Sequence, residues 1–172
     1  KKELVLTTVG RVVPNKQFSH ALYLLKALHN AWLPYHLNIV WAIQDNNEYA
    51  YLENVIKTEQ LNDYVTFHWK LWTQELIALW DQTRFWLIMS DKEWFGLTTL
   101  EANARGVPMI GYAITGVDEV IHDKENGWLI PKNDRNEWAQ RIIWTSEEEY
   151  TQLVQKTVQF ITTYPTWESN QK

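Results

Sequence analysis

Two glutamates and a glycine stand where an apolar run gives way to a helical pattern, in the segment E-W-F-G-L-T-T-L-E. Glu93 and Glu101 bracket the first turns of the predicted helix. The backbone N–H groups at its start have no partner inside the helix, and Gly96 has no side chain to keep a ligand away from them. The residues that present these groups are Phe95, Gly96, Leu97 and Thr98. The arrangement predicts an anion site.

The two carboxylates indicate what else the ligand carries. Acids beside an anion site repel a phosphate unless they bind uncharged groups, and carboxylate oxygens accept hydrogen bonds from hydroxyls. A ligand with both a phosphate and a sugar meets both requirements. The alternatives are a charge on the helix surface for Glu101 and a charge that favours the helix N-terminus for Glu93.

The flanking residues predict the elements that position this site. Residues 85–89 form a continuous apolar run of strand length, typical of a parallel strand covered on both faces. The helix begins near Gly96 and ends near Arg105, because Gly106 followed by Val107 and Pro108 is a helix stop with glycine in the left-handed cap.

The same alternation of strands and helices continues through the chain. We predict strands over residues 3–9, 37–43, 64–69, 85–89, 107–112 and 127–130. Helices are predicted over residues 18–32, 49–61, 73–83, 96–105 and 118–122, and two more over 135–164. This pattern indicates an α/β fold: a doubly wound, parallel, six-stranded, Rossmann-like sheet with helices on both faces.

In the doubly wound strand order 3-2-1-4-5-6, the switch point lies between strands one and four, and ligands bind outside the carboxyl ends of those strands. Arg11 and Lys16 follow strand one. We therefore expect both cations to meet the backbone N–H groups near Gly96. The alternative is that they are solvated surface charges.

Composition excludes several classes of function. With 172 residues, 45% hydrophobic and 22% charged, the chain fits one globular domain, and no apolar run is long enough to span a membrane. We expect no signal peptide, and the lack of cysteine agrees with a reducing compartment, so a cytoplasmic location is predicted. A net charge of -5 argues against nucleic acid as a partner.

Metal and dinucleotide sites are not indicated either. The 5 histidines show no metal-binding spacing, and there is neither a G-x-G-x-x-G nor a P-loop pattern. We predict no metal and no cofactor. His68, at the end of strand three, is interpreted as structural.

The chain contains 11 tryptophans. Those on helix or strand patterns are predicted to belong to the core: Trp32, Trp41, Trp80, Trp86 and Trp144.

Four segments, in order, resemble retaining glycosyltransferases of family 4, which have the two-Rossmann-domain (GT-B) architecture. They are V-G-R-V-V-P-N-K, the E-x7-E segment above, L-E-A-N-A-R-G-V-P-M-I and T-G-V-D-E-V-I-H-D-K-E-N-G-W-L-I. Several positions depart from the family pattern, among them Thr115, which replaces a glycine, and residues 44–46, which replace a glycine-rich turn. Gln17 replaces a frequent glycine, and Asp118, which alternatively caps the helix predicted at 118–122, replaces a proline.

The resemblance implies a nucleotide-diphosphate sugar donor of the UDP or GDP type. It assigns Arg11 and Lys16 to the diphosphate, Glu93 to the sugar hydroxyls and Glu101 to the ribose. It also implies that residues 1–172 are a single donor-binding domain, the C-terminal half of an enzyme whose N-terminal domain holds a glycan or lipid-linked acceptor. By itself such a domain would be inactive, and any attachment to a membrane would come through the missing domain.

Three other functions are compatible with these residues. A nucleotide-sugar epimerase shares the GT-B architecture, and a non-catalytic nucleotide-sugar-binding module shares the fold. A glycosidase would use Glu93 and Glu101 as its carboxylate pair, but its phosphate-ready helix start would then have no role.

Overall fold

The computed structural model describes residues 4–43, 45–92, 97–132 and 134–163. Its centre is a parallel sheet of six strands: β1 (Val5–Val12), β2 (His36–Ile43), β3 (Val65–Trp69), β4 (Phe85–Ile88), β5 (Met109–Tyr112) and β6 (Gly127–Ile130). The helices are α1 (Phe18–Asn30), α2 (Asn46–Thr58), α3 (Thr73–Gln82), α4 (Leu97–Ala104), α5 (Arg135–Trp144) and α6 (Glu147–Thr163). The predicted α/β class is confirmed.

The strand order is β3-β2-β1-β4-β5-β6, as predicted. Strand β1 pairs along its whole length with β2, and its first half pairs with β4, where Leu6 lies opposite Phe85. From β1 the chain thus proceeds outward through β2 and β3, and it then returns to form β4 on the other side of β1. The crevice at the carboxyl ends of β1 and β4 is the switch point of this fold.

Strand β4 shows why its sequence is apolar throughout. Phe85 and Leu87 belong to one hydrophobic cluster, while Trp86 and Ile88 belong to another on the opposite face. The first cluster includes residues of α1, α2, α5 and α6, and the second includes residues of α3 and α4. Successive residues along the strand point to opposite faces of the sheet. Because helices cover both faces, all four residues of β4 are buried.

Local signals fix several helix ends. Asp45 Oδ1 accepts hydrogen bonds from the first N–H groups of α2, and Asp134 Oδ1 does the same for α5. Helix α4 ends in Gly106 at φ +67°, with Gly106 N bonded to Asn103 O and Val107 N bonded to Ala102 O. This pair of bonds is the Schellman motif, and the predicted stop at Gly106 is confirmed.

Several predicted elements need correction, among them α2, which spans Asn46–Thr58 and not 49–61. Strand β1 does not stop at residue 9 but continues through Val12, because its last residues pair with β2. The helix predicted at 118–122 is instead a series of turns, in which Val120 N bonds to Val117 O. Five residues are too few for the helical period to be distinguished from consecutive turns.

The tryptophan prediction is correct for three residues and wrong for two. Trp41, Trp80 and Trp86 are buried, and Trp80 and Trp86 stack with ring centroids 4.0 Å apart. Trp32 is 92% exposed and Trp144 is 79% exposed. Helix α1 ends at Asn30, so Trp32 lies beyond it at φ +61°, where the helical period no longer sets its direction.

Helix α6 is anchored at the amino ends of the central strands. Arg84, which immediately precedes β4, is 4% exposed and pairs with Glu147, with Nη2 and Oε1 2.9 Å apart. Its guanidinium lies 3.8 Å from the ring centroid of Tyr150. Further along α6, Val154 and Val158 pack beside Gly106 at the end of α4.

Among the described residues, no helix has the length and hydrophobicity to cross a membrane.

Candidate functional site

A cavity of about 210 Å³ opens at the carboxyl ends of β1 and β4, at the switch point. Its lining comes from four parts of the chain: the end of β1 with the turn and the first residue of α1 that follow, β4 and the two residues after it, the first turn of α4, and the loop after β5. The lining residues are Thr8, Val9, Gly10, Lys16, Phe18, Trp86, Leu87, Ile88, Met89, Ser90, Thr99, Gly116, Val117 and Val120. The fold thus places a cavity where the sequence predicts the ligand.

Lys16 enters this cavity from the 3₁₀ turn Pro14–Lys16. A Cβ atom built on Gly10 would lie 3.4 Å from Lys16 Cε and 3.5 Å from Lys16 Cδ. The lysine stem therefore runs over the end of β1, in the space that the glycine leaves. A cation in this position is available to an anion bound at the switch point.

Arg11 is exposed on β1, where it lies opposite Ala42 of β2, and it does not line the cavity. The predicted convergence of Arg11 and Lys16 on Gly96 stays a prediction, because Gly96 is outside the described residues. Glu93 and Phe95 also lie outside them. Of Leu97 and Thr98 the structure describes the backbone only, as the start of α4.

Helix α4 contributes a residue of its first turn to the cavity lining. Thr99 is 5% exposed and lines the cavity, although the sequence analysis did not select it. The sequence carried no signal for this residue, because only the packing of the folded chain shows that the threonine is buried. Glu101, further along α4, is exposed, while Ala102 beside it is buried as predicted.

The loop after β5 forms another wall of the cavity. Gly111 lets this loop approach, because a Cβ there would be 2.6 Å from Ile121 Cδ1 and from Val117 Cγ1. Asp118 does not cap a helix. Its Oδ1 accepts a hydrogen bond from Gly116 N at 3.1 Å, and Gly116 has φ +91°.

Two fully buried asparagines hold the end of α4 against the segment before β6. Asn126 Nδ2 donates to Asn103 Oδ1 and to Val120 O, each at 2.8 Å, and Asn126 Oδ1 accepts from His122 N at 2.7 Å. Asn103 Nδ2 donates to Val107 O at 3.0 Å. In the sequence, Asn126 followed by Gly127 indicates only a turn before β6.

His68 lies on β3, at the edge of the sheet, away from the cavity. Its Nε2 donates to Asn38 Oδ1 at 2.8 Å, and partial burial lowers the pKa of the imidazole. These contacts agree with a structural role. Within the described ranges, no three histidine, aspartate or glutamate side chains form a group that could hold a metal ion.

A larger cleft, of about 710 Å³, lies between α5 and α6. Its lining carries positively and negatively charged side chains, among them Arg141, Lys156, Glu137 and Glu149. None of the predicted site residues lines it.

Solved structures similar to this chain share its fold. An S. aureus TarM variant, solved with fondaparinux, alpha-GlcNAc-glycerol and UDP, matches 98% of this chain with a TM-score of 0.85 and 19% identity. The C-terminal domain of LpcC, a glycosyl transferase group 1 family protein from Francisella tularensis, matches 93% of it with a TM-score of 0.82 and 19% identity. The chain covers 34% of the TarM chain and 85% of the LpcC domain.

Sequence comparison points to the same group of proteins. The N-acetyl-alpha-D-glucosaminyl L-malate synthase of Bacillus anthracis is 34% identical over 108 residues, which are 62% of this chain and 28% of that enzyme. This chain therefore spans less than a third of that relative. The family model described as "Glycosyl transferases group 1" matches residues 1–161. The chain accordingly belongs to the group 1 glycosyl transferases.

Proposed function

We propose that this chain is the donor-binding domain of a retaining, family-4-like glycosyltransferase of GT-B architecture, and that it binds a UDP- or GDP-sugar. The observation that carries the proposal is the cavity at the switch point, where Lys16 and the first turn of α4 line the same space. The TarM structure, which shares this fold, contains UDP. The acceptor of the proposed enzyme is a glycan or a lipid-linked sugar, held by a separate N-terminal domain.

The proposed roles follow the charge that the reaction creates. When the bond between the sugar and the diphosphate breaks, negative charge grows on the leaving diphosphate. Lys16, Arg11 and the backbone N–H groups at the start of α4 stabilise that charge. No divalent metal is needed, because the cations and the helix N-terminus neutralise the diphosphate.

The two glutamates act on hydroxyls in this proposal. Glu93 holds the sugar hydroxyls beside the reacting carbon, and Glu101 accepts hydrogen bonds from the ribose. The exposure of Glu101 on α4 leaves its carboxylate open to a ligand. Replacing Glu101 with glutamine weakens its hydrogen bonds with the ribose hydroxyls, because a neutral amide accepts hydrogen bonds less strongly than a carboxylate.

Isothermal titration calorimetry with UDP-, GDP- and ADP-sugars tests this proposal. We expect one nucleotide class to bind with equal affinity in the presence and absence of EDTA. Lys16→Ala and Glu101→Gln should each weaken that binding by roughly tenfold or more, since a charged hydrogen bond contributes about 1.5–3 kcal/mol.

Matched controls come from the exposed surface of α2. Lys57→Ala and Glu53→Gln make the same chemical changes away from the cavity and should leave the affinity unchanged. Absence of binding by every nucleotide sugar would refute the donor-domain proposal. Loss of binding in EDTA would refute its metal independence alone.

A further inference from the structure

Gln17 has a backbone conformation that favours glycine. It directly follows Lys16 and has φ 49° and ψ 42°, in the left-handed region. A side chain other than glycine is sterically disfavoured there, so another interaction must hold the residue in place. The turn that carries Lys16 depends on this conformation, because Gln17 N bonds to Pro14 O at 3.1 Å and closes it.

Asp91, in the loop after β4, supplies that interaction. Gln17 Nε2 donates to Asp91 Oδ2 at 2.5 Å, across 74 positions of sequence. Asp91 N also donates to Asn15 O at 2.8 Å, so two bonds tie the turn after β1 to the loop after β4. Gln17 Oε1 is buried and has no hydrogen-bond partner among the described residues, so the bond from Nε2 to Asp91 is the one by which this amide is held.

Lys132, just after β6, also contacts Asp91. Its Nζ lies 2.6 Å from Asp91 Oδ1, with the two side chains 46% and 34% exposed. Asp91 alone would place a negative charge beside the cavity that Lys16 lines. Lys132 offsets the charge of Asp91, so the carboxylate does not cancel the positive potential that the cavity offers to an anion.

We propose that Asp91 is a positioning residue, which keeps Lys16 over the cavity by holding Gln17 in its left-handed conformation, while Lys132 neutralises the carboxylate. The clamp consists of Gln17, Asp91 and Lys132. Its effect on ligand affinity rests on the proposed donor-binding function, but its effect on the Lys16 turn does not.

The proposal makes the two residues interdependent. Glycine adopts the left-handed conformation without help, so a Gln17→Gly chain needs no anchor from Asp91. Asp91→Ala should therefore be harmful when Gln17 is present and nearly neutral when residue 17 is glycine. A carboxylate that acted on the ligand directly, or only through its charge, would show no such dependence.

A double-mutant cycle tests this prediction. Calorimetry with UDP and GDP as probes compares the unmodified chain with Asp91→Ala, Gln17→Gly and the double variant. We expect Asp91→Ala alone to weaken nucleotide binding roughly tenfold, and to change it less than about twofold in the Gln17→Gly background. Asp81→Ala, which removes the carboxylate of an exposed ion pair with Arg105, serves as the matched control and should change nothing.

Equal weakening by Asp91→Ala in both backgrounds would overturn the proposal, as would no weakening in either. Amide hydrogen exchange of residues 15–18 without any ligand separates this outcome from failure of the proposed function. The clamp predicts faster exchange at Lys16 and Gln17 in Asp91→Ala, and recovery in the double variant, even if no nucleotide binds. Unchanged exchange at these amides would also refute the clamp.

Discussion

At the scale of single residues, buried polar side chains bond segments of the chain to one another inside the molecule. Asn126 satisfies three backbone or side-chain groups at once, from Asn103, Val120 and His122. Its burial is complete. Such a residue stabilises the fold mainly because its loss leaves several buried groups without partners.

We expect Asn126→Ala to lower the free energy of unfolding by about 1–3 kcal/mol for each buried group that loses its partner. Urea denaturation measures this change. The exposed Asn136 offers a matched control, because Asn136→Ala removes the same side chain from the surface of α5. A similar, small effect of both substitutions would show that water replaces the lost hydrogen bonds at residue 126.

At the scale of elements, α6 is attached to the sheet through Arg84 and two tyrosines. Tyr150 Oη donates to Arg84 O at 3.1 Å, and the guanidinium of Arg84 lies over the Tyr150 ring. Burial is the main cause that raises the pKa of Tyr150 and of Tyr35, although the charge of Arg84 partly opposes it. Both phenols therefore stay neutral in the folded protein at a pH where they ionise in the unfolded chain.

This difference makes the fold sensitive to alkaline pH. The raised pKa values stabilise the protein fully below about pH 10, the ordinary tyrosine pKa, and that contribution is lost as the pH rises further. We expect Tyr150→Phe to lose about 1–3 kcal/mol at neutral pH, because Arg84 O loses its donor. Above about pH 10 the free energy of unfolding of the variant should fall less steeply than that of the parent.

Urea denaturation at a series of pH values from 8 to 11 measures both effects. The comparison between variant and parent removes the contribution of the lysines, which titrate in both. Identical slopes above pH 10 would contradict the assignment of this pH dependence to Tyr150.

At the scale of the whole molecule, the carboxyl edge of the sheet carries more than the cavity. Trp69 at the end of β3 and Trp72 before α3 are 59% and 74% exposed, and Trp41 packs edge-on against Trp69 with centroids 5.3 Å apart. These exposed tryptophans lie at the β3 end of this edge. The switch point lies two strands away, between β1 and β4. An exposed patch rich in aromatic side chains around the switch-point loops, where a separate acceptor domain would pack, stays a prediction.

We expect the 172-residue chain by itself to bind a nucleotide sugar and to transfer nothing. The proposed donor contacts all lie within it, but no acceptor is positioned and water is not excluded, so the gain from holding two reactants together, up to about 7–11 kcal/mol, is lost. Calorimetry and a transfer assay with a simple sugar acceptor, run on the same preparation, check both halves. Full turnover by this chain would refute the need for a separate acceptor domain.

The periodicity of apolar residues was sufficient to predict the strands and most of the helices, and the rule for doubly wound folds supplied the strand order. Strands buried on both faces have a continuous apolar sequence, and α4 carries its own stop signal in Gly106. The position of the ligand cavity followed from strand order, because a doubly wound sheet has only one place where its connections diverge. The prediction failed where a segment was too short to tell a helix from consecutive turns, at residues 118–122, and where a helical pattern was continued past the helix end, at Trp32.

Tertiary structure alone decided which polar residues act together. Thr99 and Asn126 look like ordinary helix and turn residues in the sequence, and only packing shows that they are buried. Gln17 and Asp91 are 74 positions apart, and neither has a periodicity that points to the other. Hydrophobic burial is non-directional and repeats along an element, so it can be recognised in the sequence, whereas a hydrogen bond between loops depends on where the completed sheet places their ends.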